Sequence, residues 1–86
     1  MKWFVYIAKC SDDSLYTGIT TNPTRREWQH NNCHGAKSLR GKTPIKIIYL
    51  ERHDDKIKAS KREYAIKNWK REDKLKLIES GLQPKF

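Results

Sequence analysis

No stretch of this sequence approaches the roughly 18 to 20 consecutive apolar residues that span a bilayer, and only two of its 86 residues are cysteine. The first lack excludes a membrane-spanning helix. Met1 to Cys10 is too short and too strand-like for a secretory signal, which makes the cytoplasm the expected location. Cys10 and Cys33 are too few for a disulfide scaffold, so both are expected as reduced thiols. Repeats and low-complexity segments are also missing. Hydrophobic residues are only 36% of the chain, so the core must be small, and the length allows a single domain over 1–86. What is present argues for a fold nonetheless. Three Trp, four Tyr and two Phe supply large apolar bodies that a disordered chain of this charge lacks.

Acidic residues are scarce as well, 10 against 19 Lys plus Arg, for a formal charge of +9. The excess is concentrated in two blocks. In residues 25–46, Arg25, Arg26, Lys37, Arg40, Lys42 and Lys46 face only Glu27. In residues 56–76 nine Lys or Arg face Glu63, Glu72 and Asp73. Two basic blocks flanking one apolar segment fit a polyanion surface built from separated parts of the chain, and nucleic acid is the commonest such partner. An anionic membrane surface fits less well, because no basic segment also carries a broad Leu, Phe and Trp face. Solubility alone is the plain alternative.

The pattern predicts the element order β-β-α-β-α-α. Trp3 to Ala8 is a β-branched and aromatic run, broken by Ser11 to Ser14 and followed by Leu15 to Thr20, which makes an antiparallel hairpin. Gly18 inside the second strand marks a close approach by another backbone or a ligand. Asn22-Pro23 fits an N-cap with proline at the first helical position, opening a helix through about His30 that Asn31 and Asn32 end. His34 to Thr43 is expected as a loop, Pro44 to Leu50 as a third strand, and Asp54 or Asp55 as the cap of a helix running to about Trp69. A last helix near Arg71 to Ser80 carries Leu75 and Ile78 at i, i+3 and ends at Gly81. The class is α+β, a small three-stranded antiparallel sheet covered by helices. On the second helix Ala59, Ile66 and Trp69 share an arc of ~80°, with Glu63 about 40° beyond Ala59. That places a carboxylate at the rim of an apolar stripe, where it wants either a cation or an i, i+4 pair with Lys67. Trp28 is expected in the core rather than stacked on a base. His30, Cys33 and His34 crowd together without a matching second motif and make a poor metal site.

Tyr6 in the first strand, Tyr16-Thr17-Gly18 in the second, Arg26 on the next helix and Glu63 on the helix after strand three resemble the GIY-YIG endonuclease domain. The likeness spans Phe4 to about Ile78. Leu15 to Thr21, Arg25-Arg26 with His30, Gly35-Ala36-Lys37 and Arg62-Glu63 with Ile66-Lys67 are similar to the small stand-alone UPF0213 group. Phe4-Val5 replaces the first signature's Gly-Ile, Ser38 stands where an aromatic residue is common, and Lys70 where a capping serine is usual.

The resemblance implies a metal-dependent endonuclease that hydrolyses DNA phosphodiester bonds, structured or damaged DNA included. It implies a catalytic set of Tyr6, Tyr16, Arg26, His30 and Glu63. Tyr16 would be the base or nucleophile-activating phenol, with Tyr6 as its hydroxyl partner. Arg26 would hold the scissile phosphate and His30 would relay or accept a proton. Glu63 would be the sole protein ligand of one Mg²⁺ or Mn²⁺ ion, water and phosphate oxygens completing the shell. Gly18, Arg25, Lys37, Arg40, Lys42 and Lys67 would lie along the nucleic acid. Tyrosine, with an unperturbed pKa of ~10, is a poor base at neutral pH unless a nearby cation favours phenolate. A chain of this length has no room for a separate DNA-reading domain, so low sequence specificity is expected, with a monomer as the default state. Two readings stay open beside the nuclease: a non-catalytic nucleic-acid-binding module on the same fold, and an adaptor whose basic faces meet an acidic protein.

Overall fold

The computed structural model describes residues 2–32, 39 and 41–80. Three strands and three helices follow in the expected order: β1 (Trp3–Lys9), β2 (Leu15–Thr20), α1 (Pro23–Asn31), β3 (Lys46–His53), α2 (Lys56–Lys67) and α3 (Arg71–Ser80). The expectations on Cys33, His34, Gly35, Lys37, Ser38, Arg40 and Gly81 lie outside the described residues.

The sheet order is β2-β1-β3, both pairings antiparallel. β1 is therefore the middle strand, and Val5, Tyr6, Ile7 and Ala8 are all buried. Their side chains alternate between two small cores, as the two-residue period of a strand requires. Tyr6 and Ala8 join Cys10, Leu39, Ile45, Ile47 and Leu50, with Phe4 and Tyr16 at the margin. Val5 and Ile7 join Tyr49, Ala59 and Ile66, with Trp3, Leu15, Ile19, Trp69, Leu77 and Ile78 around them. β3 keeps residues of alternate parity in step with β1 only by a bulge. Ile7 pairs with Tyr49 and Ala8 with Ile47, so Ile48 is the extra residue.

The hairpin turn is fixed by Asp12, whose carboxylate accepts from the Ser14 N–H at 3.0 Å and from its hydroxyl at 2.6 Å. Asp13 takes a left-handed φ of 67°, a conformation Asp tolerates better than most residues. α1 starts as expected: the Asn22 side chain accepts from the Arg25 N–H at 3.1 Å, with Pro23 next. Asp55 rather than Asp54 caps α2, accepting from Lys58 N–H at 2.8 Å. α3 begins without a side-chain cap at Lys70, but Glu72 and Asp73 in its first turn complement the positive end of the helix.

Three expectations need correction. β3 runs on through Glu51, Arg52 and His53, three residues beyond its apolar stretch. α2 stops two residues early, because the Asn68 backbone N–H turns back to Ala65 and Ile66 carbonyls. Leu77 and Ile78, not Leu75, dock α3 on the core, and Leu75 is exposed.

α2 and α3 cover the face formed by Val5, Ile7 and Tyr49, where Ala59 and Ile66 are fully buried. Burying a side chain such as Ile66 is worth ~1.5–3 kcal/mol. α1 is tied to β3 by polar side chains. Asn31 accepts the Ile45 N–H at 2.7 Å and donates to its carbonyl at 3.0 Å, and Glu27 accepts the Ile47 N–H at 2.9 Å. These bonds hold α1 beside the face that carries Tyr6 and Tyr16.

Candidate active site

The hairpin register puts Tyr6 directly opposite Gly18 and Ala8 opposite Tyr16, so both phenols leave the same face of the sheet. The Tyr6 ring lies flat across Gly18. A Cβ at residue 18 would stand 2.5 Å from the Tyr6 hydroxyl and 2.7 Å from Cζ. The close approach that a strand glycine announces is thus Tyr6's own ring.

His30, on the last turn of α1, closes the group. Its Nε2 shares a 2.8 Å hydrogen bond with the Tyr6 hydroxyl, its direction set by the histidine tautomer. Tyr6 and Tyr16 ring centroids are 6.2 Å apart, and Tyr16 meets His30 edge-on at 5.5 Å. Tyr6 and His30 are almost wholly buried, at 1% and 2% exposed, whereas Tyr16 is half-buried. Of the three rings, Tyr16 is the one open to an incoming molecule.

Electrostatics separates their roles. Burial, and next the neighbouring Tyr16 hydroxyl, push the Tyr6 phenol up to about 12. Arg26 pulls against this through contact and charge, while Glu63 adds to the rise. Tyr6 therefore stays a neutral phenol at pH 7, fit to orient a partner and not to take a proton. Burial likewise pushes His30 down to about 4, with the Arg26 charge adding to it, so its ring is neutral and one nitrogen is free of a proton. Arg26 is half-buried on α1, and its Nη1 donates to Gln29 Oε1 at 3.1 Å.

Glu63 lies on α2 with its side chain 21% exposed, 3.6 Å from the Lys67 ammonium. It is the half-buried rim carboxylate that the helical arc predicts, and the i, i+4 pair is formed. Among the described residues no group of three or more His, Cys, Asp or Glu side chains is placed to share an ion, so a cation here would not be held by a dedicated protein cage. A lone carboxylate fits a cation such as Mg²⁺ that keeps most of its waters and shares substrate oxygens.

Among the expected contact residues, Arg25 is exposed and lines, with Arg26, Asn22, Gln29 and Trp3, a groove of about 290 Å³ where β2 ends and α1 begins. Lys42 stands 4.0 Å from Asp12, away from this cluster. Trp28, expected in the core, is 58% exposed. α1 meets β3 through Glu27 and Asn31, which turns the intervening Trp28 outward.

The profile of the GIY-YIG catalytic domain matches residues 2–76. The chain belongs to the GIY-YIG family. It is similar to a UPF0213 protein of Haloquadratum walsbyi, 47% identical over 91% of this chain and 88% of that one. A UPF0213 protein of Clostridium perfringens is 51% identical over 90% and 83%. Two solution NMR structures share the fold. The UPF0213 protein of Bacillus halodurans has a TM-score of 0.59 at 37% identity, over 92% of this chain and 84% of that chain. A protein of E. faecalis has 0.61 at 32%, over 100% and 95%. The family's two signature segments are thus the paired strands β1 and β2, and the signature glycine is the floor under the first tyrosine.

Sequence reasoning missed a second polar cluster. Glu51 on β3 accepts from the Tyr49 hydroxyl at 2.7 Å and from Arg62 Nε at 2.9 Å, and bonds His53 Nε2 at 2.7 Å. Tyr49, Glu51 and His53 alternate along one strand, a period-two signal that polar residues at a strand end disguise.

Proposed function

We propose that this GIY-YIG domain is a metal-dependent endonuclease that hydrolyses DNA phosphodiester bonds with low sequence preference. The observation that carries the reading is the convergence of Tyr6, Tyr16 and His30 on one face of the sheet.

Hydrolysis adds water across a P–O bond. The water oxygen bonds phosphorus, the ester oxygen leaves with the strand end, and one proton passes from water to that oxygen by way of protein groups. Tyr16 is the ring open to the substrate side and would take the proton from water in the phenolate form that a nearby cation favours, returning it as phenol to the leaving oxygen. Tyr6, held as a neutral phenol against His30, packs beside Tyr16 and orients that ring. Arg26 neutralises a phosphate oxygen as charge builds in the transition state, a contribution worth on the order of 10²-fold or more in rate. A divalent cation on Glu63 would supply further neutralisation and favour the phenolate form of a nearby tyrosine. Arg25 and the groove beside it receive the flanking backbone, a contact that positions without reading bases.

Wild type, Tyr16→Phe and Glu63→Ala are compared on duplex, single-stranded and branched DNA with and without Mn²⁺. Cleavage that needs Mn²⁺ and falls at least ~10²-fold in both variants is expected; activity indifferent to both changes sinks the assignment. A second reading draws on the Lys67–Glu63 pair, which satisfies the carboxylate without a cation. In a binding-only module, affinity for DNA is salt-sensitive and unchanged by Glu63→Ala.

A further inference from the structure

The Glu51 cluster sits on the face of the sheet covered by α2, and among the described residues its side-chain hydrogen bond to another element runs to Arg62, the residue before Glu63. Arg62 is held from two sides. Its Nε donates to Glu51 Oε1 at 2.9 Å, and its guanidinium stacks over the Trp69 ring at 5.1 Å. Glu51 in turn is fixed within β3 by the Tyr49 hydroxyl and the His53 ring, both at 2.7 Å. Burial opposes ionisation of Glu51, but the bonds from Tyr49, Arg62 and His53 outweigh it and hold its carboxyl below the usual range. The side chains of Glu51 and Arg62 are 20% and 32% exposed, so the pair is shielded enough to be rigid. The i, i+4 contact of Lys67 on Glu63, at 3.6 Å with the lysine half exposed, is longer and stays within one helix, so it does not fix α2 to the sheet.

We propose that the Glu51–Arg62 pair is the positioning element for Glu63, locking the rotation and height of α2 on β3 and with them the placement of the Glu63 carboxylate. The proposal rests on the cation role given to Glu63 above. The chain places the clamp and the carboxylate on consecutive residues, about 100° apart around the helix. One side chain therefore anchors the helix to the sheet while its neighbour is left, among the described residues, with only the Lys67 contact on its own helix. Only Glu63 is a metal ligand; Arg62 and Glu51 act through it.

The test is an amide NMR titration of the full chain with Mn²⁺ alone, following paramagnetic broadening around residue 63, and Glu63→Gln is the control that abolishes it. Glu51→Gln and Arg62→Met are expected to raise the Mn²⁺ concentration at half-broadening by about tenfold, the cost typical of losing an orienting partner of a metal ligand. Arg62→Lys, which keeps the charge, recovers part of the shift. The double variant is no worse than either single one, because the two residues act as a unit.

Unchanged midpoints in both single variants, or fully additive shifts in the double, overturn the proposal. So does loss of the folded amide spectrum in both Glu51→Gln and Arg62→Met, which makes the pair a plain stabilising contact. Wild-type spectra without Glu63-dependent broadening overturn both the cation role and its positioning. Broadening that follows the expected order in a protein that cuts no DNA overturns the nuclease reading and leaves the positioning intact.

Discussion

Tyr6 occupies the space that a side chain at Gly18 would need: the two residues are paired across the hairpin, and the phenol oxygen lies 2.5 Å from where a Cβ would be. The glycine is required by packing, since the conflict is with a ring that is itself clamped by His30. Gly18→Ala should push Tyr6 out of line and cost ~1–3 kcal/mol by overpacking. Urea denaturation measures this, and Tyr6→Ala added to Gly18→Ala should remove most of the penalty that the alanine at 18 carries. Equal penalties with and without the Tyr6 ring would refute the account.

His30 gives the fold an acid-sensitive component. Its folded pKa, about 4, lies below the ordinary histidine value of 6.5. The unfolded chain therefore binds the extra proton first, and stability is lost as pH falls from about 6.5 towards 4. The loss is on the order of 2–3 kcal/mol for a shift of this direction and size. Urea midpoints at pH 7 and pH 4.5 should differ by less in His30→Gln than in wild type, and parallel curves would count against a buried neutral ring.

Arg26 is half-buried and its Nη1 donates to Gln29 on its own helix, so its removal should affect rate more than stability. Arg26→Ala should lower cleavage by on the order of 10²-fold with a melting temperature within a few degrees of wild type. Arg26→Lys should recover only part of the rate, since a point charge replaces a planar fork. Full activity in Arg26→Ala would exclude a role at the phosphate.

Asn31 replaces a strand neighbour for Ile45, bonding both its N–H and its carbonyl. Asn31→Ala leaves two backbone groups of a buried residue unpaired and should cost about 2 kcal/mol. Amide exchange at Ile45 should accelerate by at least ~10-fold, and protection equal to wild type would show that the bonds carry no weight.

How much of this was legible in the sequence follows from what each signal depends on. The bounds of β2 and of α3 are marked locally, by the Asp12-Asp13-Ser14 turn, Asn22-Pro23 and the acidic first turn after Lys70. Glu63 at the rim of the α2 stripe follows from helical geometry alone. The far end of β3 is different, because Glu51 and His53 are strand residues by pairing with Val5 and Trp3 of β1, and their side chains are satisfied by Tyr49 and by Arg62 on a later helix. Polar residues satisfied by distant partners carry no local mark. Trp28 misled for a related reason. Aromatic size argues for burial, but α1 meets β3 through the carboxylate of Glu27 and the amide of Asn31, not through an apolar stripe. The ring stack of Tyr6 on Gly18 needed the pairing register, which the motif order does not state.

The bonds from Glu27 and Asn31 to β3 have a consequence for how the domain lives in solution. β3 is the last strand of a three-stranded sheet, and an outer strand offers its backbone to any other chain that can extend alongside it. The N–H groups of Ile45 and Ile47 are already taken by α1. Two polar side chains of a helix thereby occupy the margin of the sheet where the chain enters β3, and another chain could not pair with those two N–H groups without first displacing α1.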